Sequence, residues 1–321
     1  MPINEGVSES RPPSDFHVPK MQPSPANNPK GLLGPDDVVR DLHQLPSTPR
    51  VLPRLLELLR DDRASMSDVV SLVKVDAGMA ARVLQIGNSA YYSPSHAARC
   101  PTMEDAVYRV GLVKVYELVA YAATANLLMR TLRAYRLGPE RMWQISVTCA
   151  LAAERLARLV EADANTAYTA GLLHAVGFVA IDAWAQHGGS RMQFLDGGLP
   201  GETTESERSL LGFTNAEVAG SVLRLWVFPP SIVEPIRWQY DPLEGGAHKK
   251  MAALLHAAKW LREAVHVAAE KPLPAVPDPG ILELLKLKPE DLEGLLPEVK
   301  EAYAKACLLL AEPANGGSHH H

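Results

Sequence analysis

"GLLHAVGFVAID", residues 171–182, is apolar on nearly every face. A helix of that kind has no solvated side, so it belongs at the centre of a helical fold. Gly171 and Gly177 flank His174 at helical spacing and let neighbouring helices come close. Beside His174 stands Ala175, where an aspartate would make a His-Asp ligand pair for a divalent metal. The stretch therefore poses a choice between an active-site helix and a plain core helix.

Outward from it, the pattern is helical almost everywhere from Asp36 on. Ala, Leu, Arg and Glu dominate, and strand-like alternation of β-branched residues is scarce. About a dozen helices are expected. Ser67 in "SMSDVVSLV" reads as an N-cap, while Thr102 with Asp105 and Thr214 with Glu217 read as capping boxes. Prolines 46, 49, 53, 94, 101, 139, 229 and 230 fall mostly at helix boundaries. The predicted architecture is all-α, a multi-helical bundle in two packed helical subdomains. Residues 1–34, rich in Pro, Ser and Asn, are expected to form a disordered tail. The subdomains span 35–137 and 138–270, and a helical C-terminal segment covers 271–312. Residues 313–321 read as a linker and part of a purification tag, and 187–205 is the longest internal loop.

Composition narrows the function. With a formal net charge of −5, the chain does not coat nucleic acid or acidic membrane through bulk charge. Cys100, Cys149 and Cys307 lie far apart, which argues against a disulfide framework or zinc knuckle and fits a reducing cytoplasm. No uninterrupted apolar run of membrane-spanning length is expected, and the first residues carry no signal-peptide core. A P-loop, a G-x-G-x-x-G turn and a G-x-S-x-G elbow are all missing from the sequence.

Four stretches in order carry a resemblance. They are 45–92, which opens "LPSTPRVLPRLLELL", "TMEDAVYRVGLVKVYELV" (102–119), "AYTAGLLHAVGF" (167–178) and "RLWVFPPSIVEPIRWQYDP" (224–242). Together they make the chain, over roughly 38–310, resemble the HDOD domain, the HD-related output domain of bacterial signalling proteins. The resemblance implies an all-α fold related to HD-type phosphohydrolases, whose metal is held by His and Asp side chains from several helices. It also implies a regulatory module that lacks part of that ligand set.

Carried over residue by residue, the resemblance implies a vestigial pocket. Ile145 stands at the first histidine position, on the apolar stripe Met142, Ile145, Cys149, Ala152, Leu156, and Ala175 replaces the aspartate beside His174. Asn215 occupies a later histidine position, Gln239-Tyr240 a His-His pair, and Lys259 the final aspartate. A catalytic divalent ion needs several imidazole and carboxylate ligands, and a lysine among them would repel it. No catalytic residue, metal or cofactor is therefore expected, and the chain is not expected to be an enzyme.

His174 reads as a buried neutral histidine bonded to a carbonyl or hydroxyl, with Asn215, Gln239 and Tyr240 as candidate neighbours. The ordinary reading of Lys259 is a packed stem with its ammonium reaching water. The sharper reading is a cation replacing the metal's charge, neutralising a carboxylate or binding a phosphate-bearing small ligand. In "QIGNSAYYSPSHAARCP" (85–101), Asn88 and Ser89 are expected to cap helix-end carbonyls or the next turn. Tyr91 reads as packing, and Tyr92 as packing or partner contact, so Asn88, Ser89 and Tyr92 make a candidate interaction loop. Arg130, Arg133, Arg136 and Arg141 read as a solvated face, with Arg130 and Arg133 sharing one side of a helix.

The expected function is a cytoplasmic, non-catalytic module that meets a protein partner in two-component or cyclic-dinucleotide signalling. Its inputs would come in trans, because neither a receiver nor a diguanylate-related domain precedes it in this sequence. One alternative is a divergent metal-dependent phosphohydrolase with a relocated site, drawing on histidines 17, 43, 96, 187, 248, 256 and 266. A weaker one is a regulator contacting nucleic acid through Arg130–Arg141.

Overall fold

Helix boundaries follow local chemistry closely. The computed structural model describes residues 34–40, 51–61, 63, 65–74, 77–88, 100–187, 204–268 and 271–311. The helices in chain order are α1 (Pro35–Arg40), α2 (Val51–Arg60), α3 (Met66–Lys74), α4 (Ala77–Gly87), α5 (Met103–Val110), α6 (Leu112–Leu128), α7 (Pro139–Leu159) and α8 (Ala164–Leu173). There follow α9 (Val176–His187), α10 (Thr204–Leu211), α11 (Asn215–Leu225), α12 (Pro230–Arg237), α13 (Lys249–Val265), α14 (Pro279–Leu285) and α15 (Pro289–Ala311). No strand occurs among the described residues, so the fold is all-α.

Both expected capping boxes form. Asp105 N donates to Thr102 Oγ1 at 3.1 Å, and Thr214 N donates to Glu217 Oε2 at 2.8 Å. The N-cap of α3 is Ser65 rather than Ser67. Asp68 lies three residues beyond Ser65 and accepts from its backbone N at 2.7 Å, so the helix starts two residues earlier than the serine pattern suggested.

Helices α2 to α6 pack mainly on one another, and α6 joins them to α7, α8 and α9. The second block is built on α7, which lies along α8, α13 and α15, while α11 packs on α9 and α12. Helix α1 sits with α11 and α9, away from the N-terminal helices it was grouped with in sequence. Arg60, at the end of α2, clasps the second block: its Nε and Nη2 donate to Asp163 Oδ2 at 3.1 and 3.0 Å. Asp163 is itself the N-cap of α8.

The 171–182 stretch is not one helix. It breaks at His174-Ala175, between α8 and α9. His174 Nδ1 bonds Gly171 O at 2.6 Å, and that carbonyl is the one the Ala175 N–H would take in a continuous α-helix. Segment Ala164–Gln186, taken whole, has the length and mean hydropathy (1.2) of a membrane crossing, although Asn165, Thr166, Thr169, His174 and Asp182 interrupt its apolar run. Its apolar window is 89% buried within the fold.

The two glycines make the close approaches. A Cβ on Gly171 would lie 2.7 Å from Ala150 Cα in α7, and one on Gly177 only 1.8 Å from Asn215 O. Each helix thus seats the next backbone against backbone, and this fixes the floor of the site.

Candidate functional site

His174 ends α8 at the centre of the second block and is 1% exposed. Arg262 Nη1 on α13 donates to its Nε2 at 2.9 Å. A guanidinium only donates, so Nε2 is the acceptor and Nδ1 carries the proton, given to Gly171 O. Burial first, and then the charges of Arg262 and Lys259, hold its pKa well below the ordinary histidine value. The ring is therefore neutral, with both nitrogens engaged.

Of the other expected pocket residues, Gln239 comes nearest. Its Nε2 donates to His174 O at 3.0 Å, while its Oε1 is buried without a donor among the described residues. Ala175 is fully buried, and Ile145 is buried on α7 facing a cavity beside Arg262. Asn215 and Tyr240 form a different cluster, in which the Tyr240 hydroxyl donates to Asn215 Oδ1 at 3.2 Å. Asn215 N and Nδ2 both donate to Glu207 Oε2, at 2.7 and 2.8 Å, and Tyr135 donates to Glu207 Oε1 at 2.8 Å. Glu207, on α10, is fully buried and satisfied by these donors.

Lys259 does not reach water, contrary to its ordinary reading; it is 5% exposed. Its ammonium lies 3.6 Å from the centroid of the Tyr240 ring and 3.5 Å from Gln239 O. The stem leaves the buried face of α13 and lines a cavity with Tyr240, His256 and Asp278. Burial, followed by repulsion from Arg262, pushes its pKa well below the lysine value. His256 Nδ1 donates to the same Gln239 carbonyl at 3.0 Å.

Arg262 was missed in the sequence. It is 2% exposed, its Nη2 pairs with Glu263 at 2.6 Å, and its Nε has no acceptor among the described residues. The available signal was spacing: Lys259 and Arg262 stand three apart on a helix whose other buried positions are apolar.

Two cavities flank α13. One, of about 450 Å³, lies between Arg141, Ile145, Arg262, Glu263, His266, Lys271 and Pro274. The other, of about 480 Å³, is lined by Tyr240, His256, Lys259, Arg208, Asp241 and Asp278, among others. Beside the first, His266 Nδ1 accepts from Gln144 Nε2 and its Nε2 donates to Thr148 Oγ1, each at 3.0 Å. Burial and the charge of Arg141 bring its pKa down to about 4.

Asn88 secures the end of α4, donating from Nδ2 to Leu84 O at 3.0 Å and accepting from Cys100 N at 2.7 Å. Ser89, Tyr91 and Tyr92 lie outside the described residues, as does most of the 187–205 loop. Arg130, Arg133 and Arg136 are exposed but share no helix, because α6 ends at Leu128. A tight turn closed by Leu132 and Leu137 follows, and its Ala134 N–H is held by Asp182 Oδ1 at 2.7 Å. Arg141 departs from that group and faces the first cavity.

These residues do not fit a divalent metal. Of the residues that the resemblance places at ligand positions, the one imidazole is blocked by a guanidinium, and a second cation stands nearby. No three His, Cys, Asp or Glu side chains converge as a metal-binding group among the described residues.

The HDOD domain profile matches residues 45–242, more than half of the chain. The chain belongs to the HDOD domain family. Several solved structures share the HDOD fold seen here. One, from Marinobacter aquaeolei VT8 and named for signal transduction, has a TM-score of 0.65 at 24% identity. It covers 85% of this chain, which spans 61% of that protein's length. An HDOD domain protein with unknown function from Geobacter sulfurreducens has a TM-score of 0.56 at 20% identity, covering 86% of this chain and 94% of its own. A protein from Shewanella amazonensis SB2B, named for phosphohydrolase activity, has a TM-score of 0.57 at 23% identity and covers 85% of this chain and 96% of its own. Among curated proteins, none matches the sequence.

Proposed function

We propose that this HDOD domain is a non-catalytic signalling module that works in the cytoplasm through contact with a protein partner. The observation that carries the reading is the Arg262–His174 hydrogen bond at 2.9 Å. It fills the lone pair a metal would require, at the place where related hydrolases hold their ion. Ile145, Ala175 and Lys259 add two side chains without donor atoms and one cation at further ligand positions. Family membership and the name of the Marinobacter relative support the signalling half. The partner is expected in two-component or cyclic-dinucleotide signalling.

Elemental analysis of tag-free protein, joined to a phosphodiesterase assay with manganese or iron added, tests the proposal. The expected result is substoichiometric metal and no metal-dependent turnover. Stoichiometric iron, manganese or zinc with turnover would overturn it in favour of a divergent phosphohydrolase.

A further inference from the structure

We propose that the cavity between α7 and α13 binds a phosphate monoester with an organic body, the phosphate against Arg141 and Lys271 with the charge of Arg262 behind them. Among its described lining residues these are three cations, and Glu263 is the one carboxylate. Glu263 is already committed to Arg262 Nη2 at 2.6 Å, so the imbalance is not relieved locally. Arg141 and Arg262 repel one another across the space. Arg262 lies behind Arg141 and Lys271, 2% exposed with its Nε–H shielded from solvent, so it contributes charge to the cavity rather than a direct donor.

Size and shape narrow the ligand class. About 450 Å³ exceeds what inorganic phosphate fills and lies within the range of small-molecule sites. Ile145 and Pro274 give one wall an apolar surface suited to a ring or sugar body. The neighbouring cavity at Lys259 is the poorer seat for an anion. Among its described lining residues Asp241, Glu263 and Asp278 oppose Arg208 and Lys259. The phosphate-bearing ligand first considered at Lys259 is thus better accommodated one helical turn away.

The inference deepens the regulatory reading by giving the module a small-molecule input, and it rests on that reading for its meaning. The test is calorimetric titration of the full chain at low salt with adenosine monophosphate and, separately, inorganic phosphate. The double variant Arg141→Gln, Lys271→Gln is run beside it. Arg141 is half-buried and Lys271 exposed, so folding is checked simply by an unchanged thermal midpoint; Arg262 is left intact because it holds His174. We expect the monophosphate to bind at submillimolar concentration and more tightly than phosphate. The double variant should lose at least ~10-fold in affinity, equivalent to about 1.4 kcal/mol. No binding up to millimolar nucleotide, equal affinity for inorganic phosphate, or full affinity in the folded double variant would each overturn the proposal. Metal-dependent hydrolysis of the nucleotide would instead defeat the non-catalytic reading, so the two failures are distinguishable.

Discussion

Arg262 and His174, 88 residues apart in the chain, share a buried hydrogen bond of 2.9 Å in which the guanidinium donates to imidazole Nε2. The pair fixes the tautomer of the ring and gives the cation one of its two partners. His174→Ala removes that acceptor and leaves a buried charge with Glu263 alone. A loss of about 3 kcal/mol in urea unfolding is expected. A loss below about 1 kcal/mol would mean that the guanidinium finds water instead.

Two cations three residues apart on α13 should respond oppositely to the same change. Lys259→Met removes an ammonium whose neighbours are a ring face and one long carbonyl contact. The variant should be as stable as the parent or more stable by about 1 kcal/mol. Arg262→Met strands both His174 Nε2 and Glu263, and should be destabilised by about 3 kcal/mol. Chemical denaturation of both variants decides; the reverse order would refute this account of the pocket.

Gly177→Ala places a methyl 1.8 Å from Asn215 O, against backbone that cannot yield without parting α9 from α11. Insoluble protein, or a loss beyond about 4 kcal/mol, is expected. Gly294→Ala in α15 meets nothing within 4 Å and should gain about 0.5–1 kcal/mol through helix propensity. Soluble expression and thermal midpoints of the two variants provide the comparison.

Stability should fall as the solution is acidified below neutrality. His174, His256 and His266 all have depressed pKa values in the fold, chiefly through burial. Their contribution is complete above the unfolded value near 6.5 and is lost as pH falls toward the folded value, about 4 for His266. Glu117 runs the other way. Burial, then the nearby charge of Glu154, raises it to about 7, so its contribution is full below 4.5 and is lost as pH rises through 7. Asp182 is also raised by burial and opposes in the same sense. Each fully shifted group contributes at most about 1.4 kcal/mol per pH unit, and the histidines outnumber their opponents. The urea midpoint should therefore drop between pH 6.5 and 5, and a flat or rising midpoint would contradict the neutral-histidine assignment.

Much of the fold was legible because its signals are local. Both capping boxes, the proline boundary before α7 and the burial of the 171–182 stretch depend on residues within a few positions of one another. The site was less legible because its deciding contacts are not local. His174 meets Arg262, Asn215 meets Glu207, and Arg60 meets Asp163 across loops whose course no periodicity encodes. The break at His174-Ala175 escaped notice for a subtler reason. It depends on a side chain competing with its own helix for Gly171 O, and a histidine carries no general tendency to do that. The fate of Lys259 was open for the same reason: whether a long side chain reaches water depends on what lies above it.

The contact between Gly177 and Asn215 has a mechanical consequence. Two main chains pressed together have no rotamers to exchange, so α9 and α11 act as a rigid chassis with no slack between them. A filled cavity beside Arg262 cannot be accommodated by spreading that pair. The compliant wall is the non-helical run from Lys271 to Asp278, to which Trp260 Nε1 donates at Pro274 O, 3.1 Å away. Displacement would travel outward along that run to α14 and α15, toward the carboxyl-terminal face of the domain.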